Sequence, residues 1–219
     1  MAHSVQFFLI QLPAFLFAIC FHEFMHGWVA KRYGDLTAEE SGRLTLNPLA
    51  HLDVMGSIVM PLLGLWLGGF LFGWAKPVPI RPQNFKHFRR GLFWVSFAGP
   101  LANLVMAAGA ALLYGGWVHF VSNDFFFYLP LKAMLEAAVF INLILALFNL
   151  LPLPPLDGSK MVQAFLPLKQ AIRFEQMARF GFFILIALAY TGVIGSLLEP
   201  ARDLGVYFLK TSLYMVGGI

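Results

Sequence analysis

Long apolar runs separated by short polar stretches set the pattern of this chain. Val5 to Ala30 is apolar apart from Gln6, Gln11 and the group His22, Glu23 and His26, and it stops at Lys31-Arg32. Three more runs follow, Gly91 to Val121, Leu131 to Leu151 and Phe180 to Leu198. A helix needs roughly 20 such residues to cross a bilayer, so residues 5–30, 91–121, 131–151 and 180–198 are the predicted spans. Val54 to Ala75 is also apolar, but it carries Gly56, Pro61, Gly64, Gly68, Gly69 and Gly73 and is too short for two crossings. It reads as a re-entrant segment over 54–75. The tail 199–219 mixes charge with aromatics and reads as an interfacial helix. Gly42-Arg43-Leu44-Thr45-Leu46-Asn47-Pro48 alternates polar and apolar with period two and reads as a short β element. The expected fold is therefore an all-α polytopic membrane protein. It forms one membrane-embedded unit over 1–219, with about four spans, a re-entrant segment and one short strand.

Composition sharpens this. The chain is 59% hydrophobic and 12% charged over 219 residues, against about 25% charged in soluble domains. That excludes a soluble enzyme, a disordered tail and a nucleic-acid reader. Cys20 is the only cysteine, which leaves no disulfide framework and no cysteine metal site. The charges give topology. Lys76, Arg81, Lys86, Arg89 and Arg90 form a linker without an acid, and the loop Lys160–Arg179 is net basic. Basic loops stay cytoplasmic, so both termini are expected outside. A multi-pass protein of a prokaryotic cell membrane follows as the expected setting, with the lipid bilayer as a standing partner and the oligomeric state open.

One polar group in the first span carries chemistry. His22-Glu23-Phe24-Met25-His26 is an H-E-x-x-H sequence on a predicted helix. Residues four apart share a helix face, so both imidazoles can reach one metal ion, and Glu23 stands where it can take a proton from a water at that metal. Three ionisable groups within five residues of an apolar helix are costly in hydrocarbon unless paired or bound. Two histidines, a third ligand and an open position make the zinc-hydrolase arrangement. Asp157 fits the third place, because prolines 152, 154 and 155 break the chain after the third run and can aim a carboxylate back into the bundle. The same residue also suits a plain turn before Gly158, and the local sequence leaves both readings open. Asn149 can donate to a developing oxyanion or make an ordinary interhelical hydrogen bond. Asn103, beside Gly99, Ala102, Ala107 and Ala111, reads as a tie between closely packed helices.

These motifs together resemble the site-2 protease family of intramembrane zinc metalloproteases. The match comprises H-E-x-x-H with Ala30 four residues on, Ala98-Gly99-Pro100-Leu101-Ala102-Asn103 for A-G-P-x-x-N, and Asn149, Pro152, Pro155, Asp157 and Gly158 for N-x-x-P-x-x-P-x-D-G. The resemblance implies one Zn²⁺ per chain held by His22, His26 and Asp157, with Glu23 as acid/base and Asn149 as oxyanion stabiliser. It also implies a membrane-protein substrate cut in or near a transmembrane helix. The chain has no room for a PDZ insert between the motifs and no CBS domain, and so resembles the compact branch.

Arg43, Leu44, Thr45, Leu46 and Asn47 are the candidate substrate-binding residues, as an edge strand that would capture an unwound helix by strand addition; a surface loop is the alternative. Lys76 to Pro82 is extended by its prolines, as a strap beside the cleft or a stiff linker. A metal transporter, which would need further acids or histidines stepped through the bilayer, or an inactive homologue are the rival readings.

Overall fold

Away from water a backbone must satisfy its own N–H and C=O groups, and a helix does so within one segment. The computed structural model describes residues 2–66 and 73–217. Its elements are α1 (Ala2–Arg32), α2 (Thr37–Glu40), α3 (Pro48–His51), a π-helical turn Val54–Val59 leading into α4 (Met60–Trp66), α5 (Phe88–Phe120), α6 (Tyr128–Leu150), α7 (Asp157–Gln163), α8 (Leu168–Gln176), α9 (Ala178–Tyr190) and α10 (Val193–Gly217). Among the described residues three single helices are long and apolar enough to cross a membrane: Phe8–Arg32 of α1, then α5 and α6. They match the predicted spans 5–30, 91–121 and 131–151 to within a few residues.

α5 is the central helix and touches α1, α6, α7 and α10. Its Ala107, Ala110 and Ala111 close on Val139 and Leu143 of α6 and on Ala201 of α10. Small residues let the backbones approach, which is how helices associate where lipid tails remove the hydrophobic drive. Ala30 at the end of α1 packs with Phe85 and Val95 at the start of α5. The first turns of α1 and α6 share a groove lined by Gln6, Ile10, Leu129 and Ala133. Gly217 lies beside His119. α1 and α6 therefore run one way, and α5 and α10 the other.

The fourth predicted span is broken, so that Phe183–Tyr190 and Val193–Gly217 are long and apolar enough to cross a membrane only as a bent pair. Residues 180–198 are not one helix: the chain turns at Thr191-Gly192, where Gly192 has φ +78°, and the helices on either side are bent by 75°. Glycine adopts that conformation without a Cβ clash. The interfacial helix expected over 199–219 is corrected as well, because α10 packs into the bundle through buried Ala201, Gly205 and Ser212. Those positions share one face, while Glu199, Arg202, Asp203 and Lys210 lie exposed on the other. The lipid-surface pattern belongs instead to α8, which exposes Leu168 and Ile172 near Lys169 and Arg173.

The short β element is also corrected, since no strand occurs among the described residues. The backbone of 43–47 is engaged elsewhere. Arg43 and Leu44 amides donate to the Ala38 carbonyl, the Cys20 thiol donates to the Leu46 carbonyl, and Asn47 Oδ1 caps α3 by accepting from the Leu49 amide. His51 Nε2 lies 2.7 Å from the Thr45 carbonyl. Period two here records a chain laid along α1, with no partner strand. In the segment 54–75, the Trp74 amide donates to the Gly56 carbonyl and Ser57 Oγ to the Trp74 carbonyl. Its ends thus meet, as a re-entrant segment requires; residues 67–72, its middle, lie outside the described residues.

The α5–α10 contact can be tested directly. A Cβ on Gly115 would sit 2.6 Å from the Ser212 carbonyl, whereas one on Gly116 meets nothing within 4 Å. Gly115→Ala is expected to lower stability by about 1–3 kcal/mol through overpacking. Gly116→Ala is expected to hold or gain up to about 1 kcal/mol of helix propensity. Thermal unfolding of both variants in detergent checks the pair.

Candidate active site

His22 and His26 stand one turn apart on α1 with ring centroids 4.6 Å apart. Their Nε2 atoms are 3.0 Å apart. Asp157 opens α7, and its Oδ2 lies 3.2 Å from His22 Nε2 and 3.1 Å from His26 Nε2. All three side chains are buried. The approach of Asp157 comes from the proline loop. Leu153 and Leu156 amides donate to the Leu151 and Leu153 carbonyls, so the chain coils tightly after α6. A Cβ on Gly158 would fall on the Leu150 carbonyl. Glycine there lets α7 fold back against the end of α6.

These residues suit a zinc ion on three grounds. His26 Nδ1 lies 2.6 Å from the Val95 carbonyl, which only accepts, so Nδ1 donates and a neutral ring keeps its lone pair on Nε2. That lone pair faces Asp157 Oδ2 and the Nε2 of His22, an encounter of electron-rich atoms that a cation between them resolves. A tetrahedral zinc shell with bonds of about 2.0–2.1 Å spaces its ligand atoms about 3.3 Å apart, close to the separations found. Finally, α5 passes the pair at Gly99, where a Cβ would collide with Nε2 of both His22 and His26. Among the described residues, these three are the group able to hold a metal ion.

A cavity of about 340 Å³ opens on this cluster. Glu23, Asn149, Ser96, Pro155 and Lys160 line it with the three residues above. Glu23 Oε2 accepts from the Val78 amide at 2.8 Å. Asn149 Nδ2 donates to the Leu145 carbonyl of its own helix. Lys160 Nζ lies 4.0 Å from Asp157 Oδ1. The strap 76–82 forms one wall through Pro77, Val78, Ile80 and Pro82, which decides between the two readings its prolines allowed. Arg43, Leu44, Thr45, Leu46 and Asn47 are not in the lining; Arg43 Nη2 donates to the Lys76 carbonyl at the strap's base.

Sequence reasoning missed Val78, Lys160, Gly99 and Asp35. Asp35 is fully buried after α1. Its carboxylate accepts from the Thr37 hydroxyl and amide, the Arg81 amide and Asn84 Nδ2. Burial opposes its charge, but these hydrogen bonds outweigh it and hold the carboxyl below the usual range. An acid flanked by Gly34 and Thr37 reads as a turn in sequence; only the fold brings residues 81 and 84 to it.

Gly99→Ala is expected to weaken zinc binding at least about tenfold while the helix content by circular dichroism stays unchanged. Competition against a chromophoric chelator measures it, and unchanged affinity would count against this site.

Comparison with known proteins agrees with this chemistry. A family model described as Peptidase family M50 matches residues 113–191. The chain is 37% identical over 185 residues to the Bacillus subtilis (strain 168) protein named "Putative zinc metalloprotease YwhC", covering 84% of this chain and 81% of that one. It is 32% identical over 191 residues to "Putative zinc metalloprotease Rip2" of Mycolicibacterium smegmatis, covering 85% and 69%. It is 30% identical over 166 residues to "Putative zinc metalloprotease MJ0611" of Methanocaldococcus jannaschii, covering 73% and 72%. No solved structure matches. A multi-pass helical chain with a zinc-type donor set and these relatives belongs to peptidase family M50, the site-2 protease family, and is a membrane-embedded zinc metalloprotease.

Proposed function

We propose that the protein is an intramembrane endopeptidase that hydrolyses peptide bonds in or near transmembrane segments of other membrane proteins, with His22, His26 and Asp157 as zinc ligands. The observation that carries this is the convergence of the three ligand atoms, within 3.2 Å of one another, in a cavity that Glu23 and Asn149 also line. Zinc bound there supplies a Lewis acid that polarises a carbonyl and acidifies water. Glu23, aimed by the Val78 amide, takes the proton from the attacking water and returns it to the leaving amine. Asn149 donates an amide hydrogen to the oxyanion as it forms. Its second N–H serves for this, because the first is engaged with Leu145. A helical substrate hides its peptide bonds in its own hydrogen bonds, so a short stretch unwinds before cleavage. Among the described residues one metal cluster at one level supports hydrolysis over transport.

The site faces the cytoplasm in this reading. Lys31 and Arg32, the linker Lys76–Arg90 and the loop 160–179 all gather at the bundle end where α1 stops and α5 starts, while the opposite turn 121–127 holds Asp124 and no basic residue. Single cysteines at 40 and 86 in a Cys20→Ser background should react with an impermeant maleimide only after the membrane is opened. A cysteine at 122 should react in intact cells. Labelling of 40 and 86 on opposite faces would overturn this orientation.

Purified protein in proteoliposomes, given a model transmembrane substrate with and without chelator, tests the activity. Glu23→Gln should lower turnover about 10²–10⁴-fold with zinc retained. Asn149→Ala should lower it about 10²–10³-fold with little change in zinc content. Full cleavage by Glu23→Gln, or cleavage insensitive to zinc removal, would reject the proposal.

A further inference from the structure

A chain of buried amides runs from α6 through α5 to the back of His22. Asn103 and Asn142 are 0% and 1% exposed. Asn142 Nδ2 donates to the Ala138 carbonyl at 2.8 Å. Asn103 Nδ2 donates to Asn142 Oδ1 at 2.8 Å and to the Ala18 carbonyl at 3.2 Å. Asn103 Oδ1 lies 2.6 Å from His22 Nδ1.

The direction of every bond in this chain is fixed by its ends. A backbone carbonyl only accepts. Ala138 O therefore requires the amide nitrogen of Asn142 beside it, which turns Oδ1 of Asn142 toward Asn103. Ala18 O and Asn142 Oδ1 then both require the amide nitrogen of Asn103 on their side. The remaining atom of Asn103, Oδ1, faces His22 and can only accept, so His22 Nδ1 must carry the hydrogen. The lone pair of a neutral ring is left on Nε2, which points at Asp157 and His26. Outer partners of this kind fix both the tautomer and the ring orientation of a metal ligand.

We propose that Asn103, held in its orientation by Asn142, is a positioning residue that locks His22 in the Nδ1–H tautomer and so presents Nε2 to zinc. This rests on His22 being a zinc ligand. The Asn103 side chain is thus more than a tie between helices, because its acceptor end is turned to a ligand and its donor end to two fixed acceptors. His26 reaches the same tautomer by a different route, through the Val95 carbonyl, and serves as an internal control.

Nitrogen-15 NMR of the imidazoles in the metal-free protein reads the tautomer directly. His22 should show the Nδ1–H pattern in the wild type and lose it in Asn103→Leu, with His26 unchanged in both. Asn103→Leu should weaken zinc affinity about 10–100-fold. A wild-type His22 with its hydrogen on Nε2, or wild-type affinity in Asn103→Leu, would overturn the proposal. His22→Ala separates the two levels: unaltered zinc affinity there would remove the ligand assignment itself. A loss there beside an unaffected Asn103→Leu would remove only the role of Asn103.

Discussion

Two imidazole nitrogens and a carboxylate oxygen, all electron-rich and all buried, meet within 3.2 Å at one end of an apolar bundle. Without a cation or a proton between them these groups repel, and uncompensated buried charge costs several kcal/mol. A divalent cation reverses the sign of the interaction and makes the cluster a source of stability, because metal binding and folding are then coupled. Much of the architecture follows from this one point. α5 crosses α1 where Gly99 leaves room for the two rings. The proline loop brings α7 back to place Asp157. The outer nitrogens of the rings are engaged by Val95 and Asn103, both on α5. One helix thus supplies the gap and both outer partners, which explains why it sits at the centre of the bundle.

The parts legible in sequence are those where one local rule acts alone. Three spans could be read because long apolar runs leave a helix no alternative in lipid. His22 and His26 could be read because a spacing of four maps to one face. Asp157 was legible as a candidate because three prolines must end α6, but its meeting with α1 is tertiary. The differences came where two rules compete. Residues 180–198 look like a span by hydropathy, yet Gly192 turns the chain. Residues 199–217 look interfacial by charge, yet their small residues fall on one face and pack against α5 and α6. Residues 43–47 alternate like a strand, yet their backbone groups are engaged by Ala38, Cys20 and His51 before any partner strand can reach them. Gly99 was quoted as part of a motif, but its purpose is visible only when His22 and His26 lie opposite.

The strap from 76 to 82 shows how a few prolines can fix a carboxylate at the wall of a cavity. Pro77, Pro79 and Pro82 have no amide hydrogen, so the strap offers donors only at Lys76, Val78, Ile80 and Arg81. Three of these four are engaged within the protein. Lys76 donates to the His51 carbonyl, Val78 to Glu23 and Arg81 to Asp35. The outer two anchor the strap to the α3 and α1 ends, and the middle one holds Glu23. Because φ at each proline is already set, little conformational entropy is lost in keeping this geometry. An extended peptide seeking donors on the strap therefore meets only the Ile80 amide uncommitted. It either leaves Val78 alone, using that amide, the strap's carbonyls and side chains, or displaces Glu23 from Val78. In the first case the carboxylate stays oriented toward the cavity throughout, and the strap acts as a preorganised wall that sets the position of Glu23.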